Sequence, residues 1–422
     1  MFISEEIKNF LLKEAIKRFL RYVKIWTSSD DSSNSTPSTP NQLELGKLLV
    51  KELNELGLEK VEQDEFGYVY ATLTPSKGFE YAQPIGFIAH LDTSPAVSGK
   101  DVKPVIHNNY DGNEIKFEND KDLILSVMDS PLLQDYIGLD IITSQGDTLL
   151  GADDKAGISE IMAACAAWKQ FPELKHGEII VCFNPDEEIG KGTLKLDLDK
   201  LPLVCYTLDG SEMGELEIEC FDAWAATIKF TGLSVHPGYA KGLMINAIHI
   251  ASRFVSEIPK SEAPETTEER QGFYHLTFLN GTAEEATAKL IIRDFDKEIN
   301  ARRMDYLTNL KDIYTEKYPG LKIEINYIHQ YENMYTYLEK ESKIVDLAKN
   351  AIEKVGLKVI FHPIRGGTDG SALSAKGIPT PNIFTGGLLF HSRKEHIPTL
   401  ALQKAAEVII NLANLWTKEN YN

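Results

Sequence analysis

Several groups able to bind a metal or move a proton stand at the ends of short apolar runs in this chain. Ile85-Gly86-Phe87-Ile88-Ala89 ends at His90-Leu91-Asp92. The run to Phe183 ends at Asn184-Pro185-Asp186-Glu187-Glu188, and the run to Leu208 ends at Asp209-Gly210. Leu149-Leu150-Gly151-Ala152 leads to Asp153-Asp154, just ahead of a helical pattern. A further candidate, His391, follows the apolar stretch Ile383 to Phe390. In an open α/β sheet, ligands bind beyond the carboxyl ends of the strands. Imidazole and carboxylate donors without a thiolate suit zinc in a hydrolytic rather than a structural role. The set is larger than one ion needs, and two ions bridged by a carboxylate would use it all. Asp92, two residues after His90, is placed to orient the imidazole. Glu187 and Glu188 are neighbours on a loop, so one can be a ligand while the other is a general base toward water.

Each of these groups has an ordinary reading when taken alone. His90-x-Asp92 can be a satisfied hydrogen-bond pair. Asp153-Asp154 can cap the helix that follows, Glu187-Glu188 can be a solvated pair, and Asp209-Gly210 can be a turn. His391 alone would be unremarkable. The metal reading rests on all of them falling at successive strand ends.

The elements that must carry these residues are legible from pattern. Residues 5–26 read as a helix, Thr27 to Pro40 as a Ser/Thr/Pro-rich loop, and Leu43 to Leu56 as a helix stopped by Gly57. Val61 to Leu73 reads as a hairpin around Glu65-Phe66-Gly67. Strands are expected at Ile85–Ala89, Glu178–Phe183 and Leu203–Leu208, with a helix at Gly157–Trp168. This alternation predicts a mostly parallel, covered sheet.

After Gly210 the pattern changes to strand, strand, helix (Met244–Ser256), strand (Phe273–Leu279), strand (Ala286–Ile292), helix (Lys297–Lys317) and strand (Leu321–Ile328). An acidic loop, Pro259 to Arg270, lies inside it, and alternation resumes after Glu339. The expected organisation is a catalytic domain made of 1–213 and 331–422, with a smaller α+β domain, 214–330, inserted.

Composition narrows the setting. A 422-residue chain with 43% apolar and 25% charged residues is that of a globular protein, long enough for two domains. A formal net charge of −19 argues against nucleic acid and anionic membrane surfaces as partners. No apolar run is long enough to span a bilayer, and Met1 to Trp26 is amphipathic without the apolar core of a signal peptide. Cys165, Cys182, Cys205 and Cys220 form no Cys-x-x-Cys pair and read as buried free thiols of a reducing, cytoplasmic compartment.

The motifs resemble those of a known group. His90-Leu91-Asp92-Thr93-Ser94-Pro95, Gly151 to Gly157, Asp186-Glu187-Glu188-Ile189-Gly190, Ser234-Val235-His236-Pro237-Gly238 and Arg365-Gly366-Gly367-Thr368-Asp369-Gly370 are similar to those of the di-zinc exopeptidase clan. That clan includes carboxypeptidases, acylases and succinyl-diaminopimelate desuccinylase. Thr93-Ser94-Pro95, Gly272 to Leu276, Ile292 to Asp296 and Phe384-Thr385-Gly386-Gly387 resemble its tripeptide-aminopeptidase branch, and the likeness runs from about residue 10 to the C-terminus.

The resemblance implies a zinc-exopeptidase-like α/β fold, a mixed sheet covered by helices, with the inserted α+β domain acting as a lid. It implies two zinc ions: His90, Asp153 and Asp209 on one, Asp153, Glu188 and His391 on the other, with Asp153 bridging. Asp92 would steady His90, and Glu187 would take a proton from the bridging water and pass it to the leaving amine. The lid would bring His236 and Arg293 to a small peptide substrate, often across a homodimer interface, and Arg365 would bind the substrate carboxylate. Dipeptidase, carboxypeptidase and N-acyl amino-acid deacylase activities belong to the same clan and stay open, as does a non-catalytic metal-binding homologue. Two features depart from the pattern: Ser392 stands where a glycine is usual, and residues 28–40 are unusually Ser-rich. His396 competes with His391 for the ligand role, and position in the motif favours His391.

Overall fold

A computed structural model describes residues 3–419; the outermost residues of the two end segments, 1, 2 and 420–422, lie outside the described residues. The first helix, Glu5–Tyr22, starts where the Ser4 side chain accepts from Ile7 N at 3.3 Å. It buries Ile7, Leu11, Ala15 and Phe19, a stripe at helical spacing. The apolar pattern predicts helix to Trp26, but the helix ends at Tyr22, and the Ile25 carbonyl accepts Lys155 Nζ at 2.7 Å instead of closing another turn. The helix Gln42–Leu56 stops at Gly57, whose left-handed φ of 88° lets its N–H fold back onto Leu53 and Asn54 carbonyls.

The chain divides into two compact units. One comprises Met1–Ile218, Tyr337–His362 and Thr368–Asn422; the other comprises Glu219–Thr336 and Pro363–Gly367. The sequence pattern places Arg365 with the outer segments, whereas the short segment that carries it belongs to the second unit.

The first unit is built on a seven-stranded mixed sheet in the order Glu59–Gln63, Val69–Leu73, Ile179–Asn184, Ile85–His90, Cys205–Gly210, Asn382–Phe384, Leu216–Glu217. The four strands Ile179–Asn184, Ile85–His90, Cys205–Gly210 and Asn382–Phe384 run parallel, and each flanking strand pairs antiparallel with its neighbour. Side chains alternate between faces. Phe87, Val181 and Tyr206 join a core closed by the helices Glu5–Tyr22, Ala152–Gln170 and Thr399–Trp416, while Ile88, Cys182 and Cys205 pack with Tyr68, Tyr70, Leu373 and Ile378 on the other face. Leu216–Glu217, which the pattern gives to the inserted domain, pairs with Asn382 and Ile383 in this sheet. Residues 103–146, where the pattern gave no elements, contribute short strands around Tyr110, Phe117, Leu133 and Tyr136.

The second unit is a four-stranded antiparallel sheet in the order Phe273–Gly281, Glu285–Asp294, Asp222–Thr231, Lys322–Tyr331. The helices Ala247–Ser256 and Lys297–Lys317 bury Ile250, Phe254, Leu307 and Leu310 against it. All four cysteines are buried, and none is in a disulfide.

Candidate functional site

Three segments meet where the parallel strands end. His90 is the last residue of its strand, Asp209 lies next to the end of its own, and the Glu187-Glu188 turn follows Asn184. The Asp153 segment reaches them because the helix after it packs hard on the sheet: a Cβ at Gly157 would lie 2.1 Å from the Leu208 carbonyl oxygen, so only glycine permits that approach. His391 arrives on a loop closed by mutual Leu388 and His396 backbone hydrogen bonds of 2.9 and 3.1 Å. It holds a left-handed φ of 58°, a strained conformation of the kind that clusters at functional sites.

Asp153 stands between the two imidazoles. Its Oδ1 is 2.8 Å from His90 Nε2, and its Oδ2 is 2.9 Å from His391 Nε2. Glu188 Oε2 lies 2.8 Å from His391 Nε2, and Asp209 Oδ1 lies 3.4 Å from His90 Nε2. Asp92 is fully buried. Its Oδ1 accepts Glu187 N at 3.0 Å and its Oδ2 accepts Glu188 N at 3.2 Å. The same Oδ1 lies 3.3 Å from His90 Nδ1, short of hydrogen-bond geometry. One carboxylate therefore holds the acidic turn and faces the back of the imidazole.

His396 is elsewhere. It is fully buried, its Nδ1 meets the Lys394 carbonyl at 2.9 Å, and burial pushes its pKa down to about 4. His391, not His396, faces Asp153 and Glu188. Ser392 fits its turn by donating to Leu389 O at 2.7 Å and accepting Lys394 N at 3.1 Å.

The Asp153-Asp154 pair divides its work. Asp154 Oδ2 accepts His90 N at 3.0 Å and Oδ1 accepts Gly157 N at 3.1 Å. Its ordinary role as a helix cap is real, and it also fixes the backbone of His90. Although Asp154 lies in a group with His90 and Asp209 whose donor atoms fall within 4.8 Å of one another, both its oxygens are engaged by backbone N–H groups. The other such group among the described residues is His90, Asp153 and Glu188.

Electrostatics follow from so many acids in one dry place. Burial pushes Glu187 well above the usual carboxylate range, with Asp209 and Asp369 adding to it. Burial and then Asp153 push Glu188 to about 8, and burial pushes Asp209 to about 6. Burial opposes the charge on Asp153 too, but hydrogen bonds from His391 and His90 hold it below its ordinary value. His391 rises to about 10 through its hydrogen bonds to Asp153 and Glu188. A divalent cation suits this donor set. The set joins two imidazoles to a cluster of carboxylates, Glu188 Oε1 is buried with no partner among the described residues, and protons held by such acids are what a bound metal displaces.

Four supporting residues have no role in the site that the sequence pattern assigns. Asp154 clamps His90. Asp186 accepts Ser38 N and Gln42 Nε2, each at 2.7 Å, so the Ser-rich loop braces the acidic turn. Asp369 is buried and accepts from Asn184 Nδ2. Glu395 accepts the backbone N–H groups of Leu150, Gly151 and Asp153. Asp186 and Asp369 lie in quoted motifs and Glu395 follows His391 by four residues, but nothing local marks their partners.

In the second unit, His236 Nδ1 accepts Gly238 N at 3.1 Å, which puts the ring proton on Nε2. The Arg293 guanidinium is buried and donates to Trp224 O and Ile292 O at 3.0 Å and to Gln330 Oε1 at 2.8 Å. Arg365 donates to the carbonyls of Glu269 and Gln271 at 2.8 and 2.7 Å and sits over the Phe221 and Phe273 rings.

A helix-covered mixed sheet with acids and imidazoles gathered at the carboxyl ends of its parallel strands puts the chain among the α/β enzymes. It belongs to the peptidase family M20/M25/M40, whose model matches residues 150–415, and is a peptidase, a hydrolase of peptide bonds. It is 46% identical to peptidase T of Clostridium acetobutylicum over 409 residues, covering 97% of this chain and 100% of that one. Peptidase T of Listeria monocytogenes is 47% identical over 408 residues, covering 96% and 99%. Among solved structures, aminopeptidase PepT from Bacillus cereus superposes with a TM-score of 0.75 at 22% identity, covering 97% of this chain and 99% of that one. A dinuclear metal-binding M20 peptidase from Bacillus subtilis superposes with a TM-score of 0.66 at 15% identity, with the same coverage of each chain.

Proposed function

We propose that this chain is a two-zinc aminopeptidase that removes the N-terminal residue of tripeptides. The observation that carries the metal reading is Asp153, one oxygen 2.8 Å from His90 and the other 2.9 Å from His391. The substrate class is supported by near full-length identity to peptidase T relatives. His90, Asp153 and Asp209 would hold one zinc, and Asp153, Glu188 and His391 the other. Histidine and carboxylate donors suit zinc. The bound ions would polarise the scissile carbonyl and lower the pKa of the attacking water.

The rest is the work of this chain's own side chains. Asp92 keeps His90 Nε2 turned toward the acids and pins the turn that carries Glu187 and Glu188. Glu187 accepts the proton of the attacking water and delivers it to the leaving amine, a transfer that a base adjacent to a ligand is placed to make. His236, with its proton on Nε2, is the lid histidine brought to the substrate as a hydrogen-bond donor. Arg365 binds the peptide's carboxylate and Arg293 is the lid arginine brought to the substrate; both donate to neutral oxygens, which leaves their positive charge for the substrate. In this reading the second unit is a lid and the contact surface of a homodimer, and the enzyme is cytoplasmic. The buried cysteines, none in a disulfide, support a reducing compartment.

The test is hydrolysis of a dipeptide, a tripeptide, a tetrapeptide, an N-acetylated tripeptide and an N-acyl amino acid by the purified protein with zinc. The free tripeptide should lose its first residue while the acetylated one stays intact. Cleavage confined to the acylated compounds would move the enzyme to the deacylase or carboxypeptidase branch and sink the proposal.

A further inference from the structure

The loop that carries His391 and the loop that carries Asp153 are joined by one buried carboxylate. Glu395 is 1% exposed. Its Oε2 accepts Leu150 N at 2.7 Å and Gly151 N at 2.8 Å, and its Oε1 accepts Asp153 N at 3.1 Å. Gly151, at a left-handed φ of 82°, turns successive N–H groups toward one point. Such a backbone nest ordinarily captures an external anion; here the chain fills it with its own.

The other end of Glu395 belongs to the His391 loop. Glu395 N donates to Ser392 O at 3.3 Å, and the Leu388–His396 bridge closes that loop one residue beyond it. Lys155 is buried beside the nest with Nζ on the Ile25 carbonyl at 2.7 Å, and burial lowers its pKa to about 7. A shift of the Asp153 backbone would change both of its imidazole distances at once, because its two oxygens face opposite rings.

We propose that Glu395 is a positioning residue that sets the Asp153 carboxylate between His90 and His391 and so sets the spacing of the two metal positions. The proposal rests on the two-zinc reading above. A glutamine at 395 would turn an amide NH2 against at least one backbone N–H of the nest while preserving size. An aspartate would keep the charge on a shorter stem.

The test compares wild type, Glu395→Gln and Glu395→Asp by chelator competition, reading zinc bound per folded chain, alongside kcat and KM on a tripeptide. Circular dichroism normalises for folded protein. In Glu395→Gln the zinc dissociation constant should rise about 10–100-fold, since residues that orient ligands typically have that effect. The kcat should fall with it at unchanged KM, and Glu395→Asp should recover part of both. Wild type binding two zinc ions while Glu395→Gln binds them with an unchanged constant would overturn the positioning role and leave the two-zinc reading standing. Zinc loss that only tracks the unfolded fraction, with Glu395→Asp no better than Glu395→Gln, would overturn it too. A wild type that binds no zinc would remove both.

Discussion

Asp92→Asn separates a residue that holds a turn from one that tunes a ligand. The substitution keeps shape and burial but replaces one oxygen by NH2. If the amide nitrogen takes the Oδ2 place, Glu188 N–H, now 3.2 Å from an acceptor, faces a donor. If it takes the Oδ1 place, Glu187 N–H loses its 3.0 Å partner and His90 Nδ1 faces NH2. Either way one half-buried N–H is orphaned, at up to about 1–3 kcal/mol. The surviving bond loses its charge, and charge-assisted bonds are roughly twice as strong as neutral ones. The metal-free chain should therefore lose about 2–4 kcal/mol in urea unfolding. Weaker orientation of His90 should also raise the zinc dissociation constant about 10–100-fold in chelator competition. A variant that unfolds at lower urea yet binds zinc as wild type does would refute the claim that Asp92 steadies His90, and would leave it a cap on the acidic turn.

Glu187→Gln removes a base and no ligand. Turnover should fall roughly 100- to 10,000-fold, with two zinc ions still found by elemental analysis; normal turnover would end the assignment of Glu187. In the second unit, Phe254 is fully buried edge-on to Phe230 at 5.3 Å and packs on Tyr314 at 5.4 Å. Phe254→Ala should weaken that unit by about 3–5 kcal/mol in urea unfolding followed by circular dichroism. A loss under about 1 kcal/mol would mean that the helix Ala247–Ser256 is not held by this core.

The fold and the candidate site were legible to different depths for physical reasons. Apolar runs ending in acids mark strand ends because a parallel strand is buried on both faces and must reach water or a ligand where it stops. That logic brings His90, Asp209 and the Glu187-Glu188 turn into view, and each stands at such an end. It cannot divide Asp153 from Asp154, since which of two adjacent acids faces the imidazoles depends on backbone angles that depart from helix at both residues. It cannot see the Ser38–Asp186 bond, which joins residues 148 apart, or the Glu395–Asp153 bond, which joins residues 242 apart. The strand Leu216–Glu217 was misassigned for a related reason: two residues carry no period, and their place is fixed by Asn382 and Ile383 far along the chain.

What the sequence hides is also what gives the site its rigidity. Asp154 holds the backbone of His90, Asp92 holds the backbone of Glu187 and Glu188, and Glu395 holds the backbone of Asp153. Three acids that need not touch a substrate thus fix the main chain beneath the groups that would. Backbone N–H groups are cheap, stiff donors, and a carboxylate that accepts them is satisfied without a cation. The segments locked this way come from distant parts of the chain, so the supports should act as a unit rather than add. Asp92 faces His90 and Glu395 holds Asp153, and His90 Nε2 lies 2.8 Å from Asp153 Oδ1, so Asp92→Asn and Glu395→Gln act on the two sides of one contact. Residues joined through one network commonly couple by about 0.5–3 kcal/mol. Independent effects would mean that the three anchors act locally, each on its own loop.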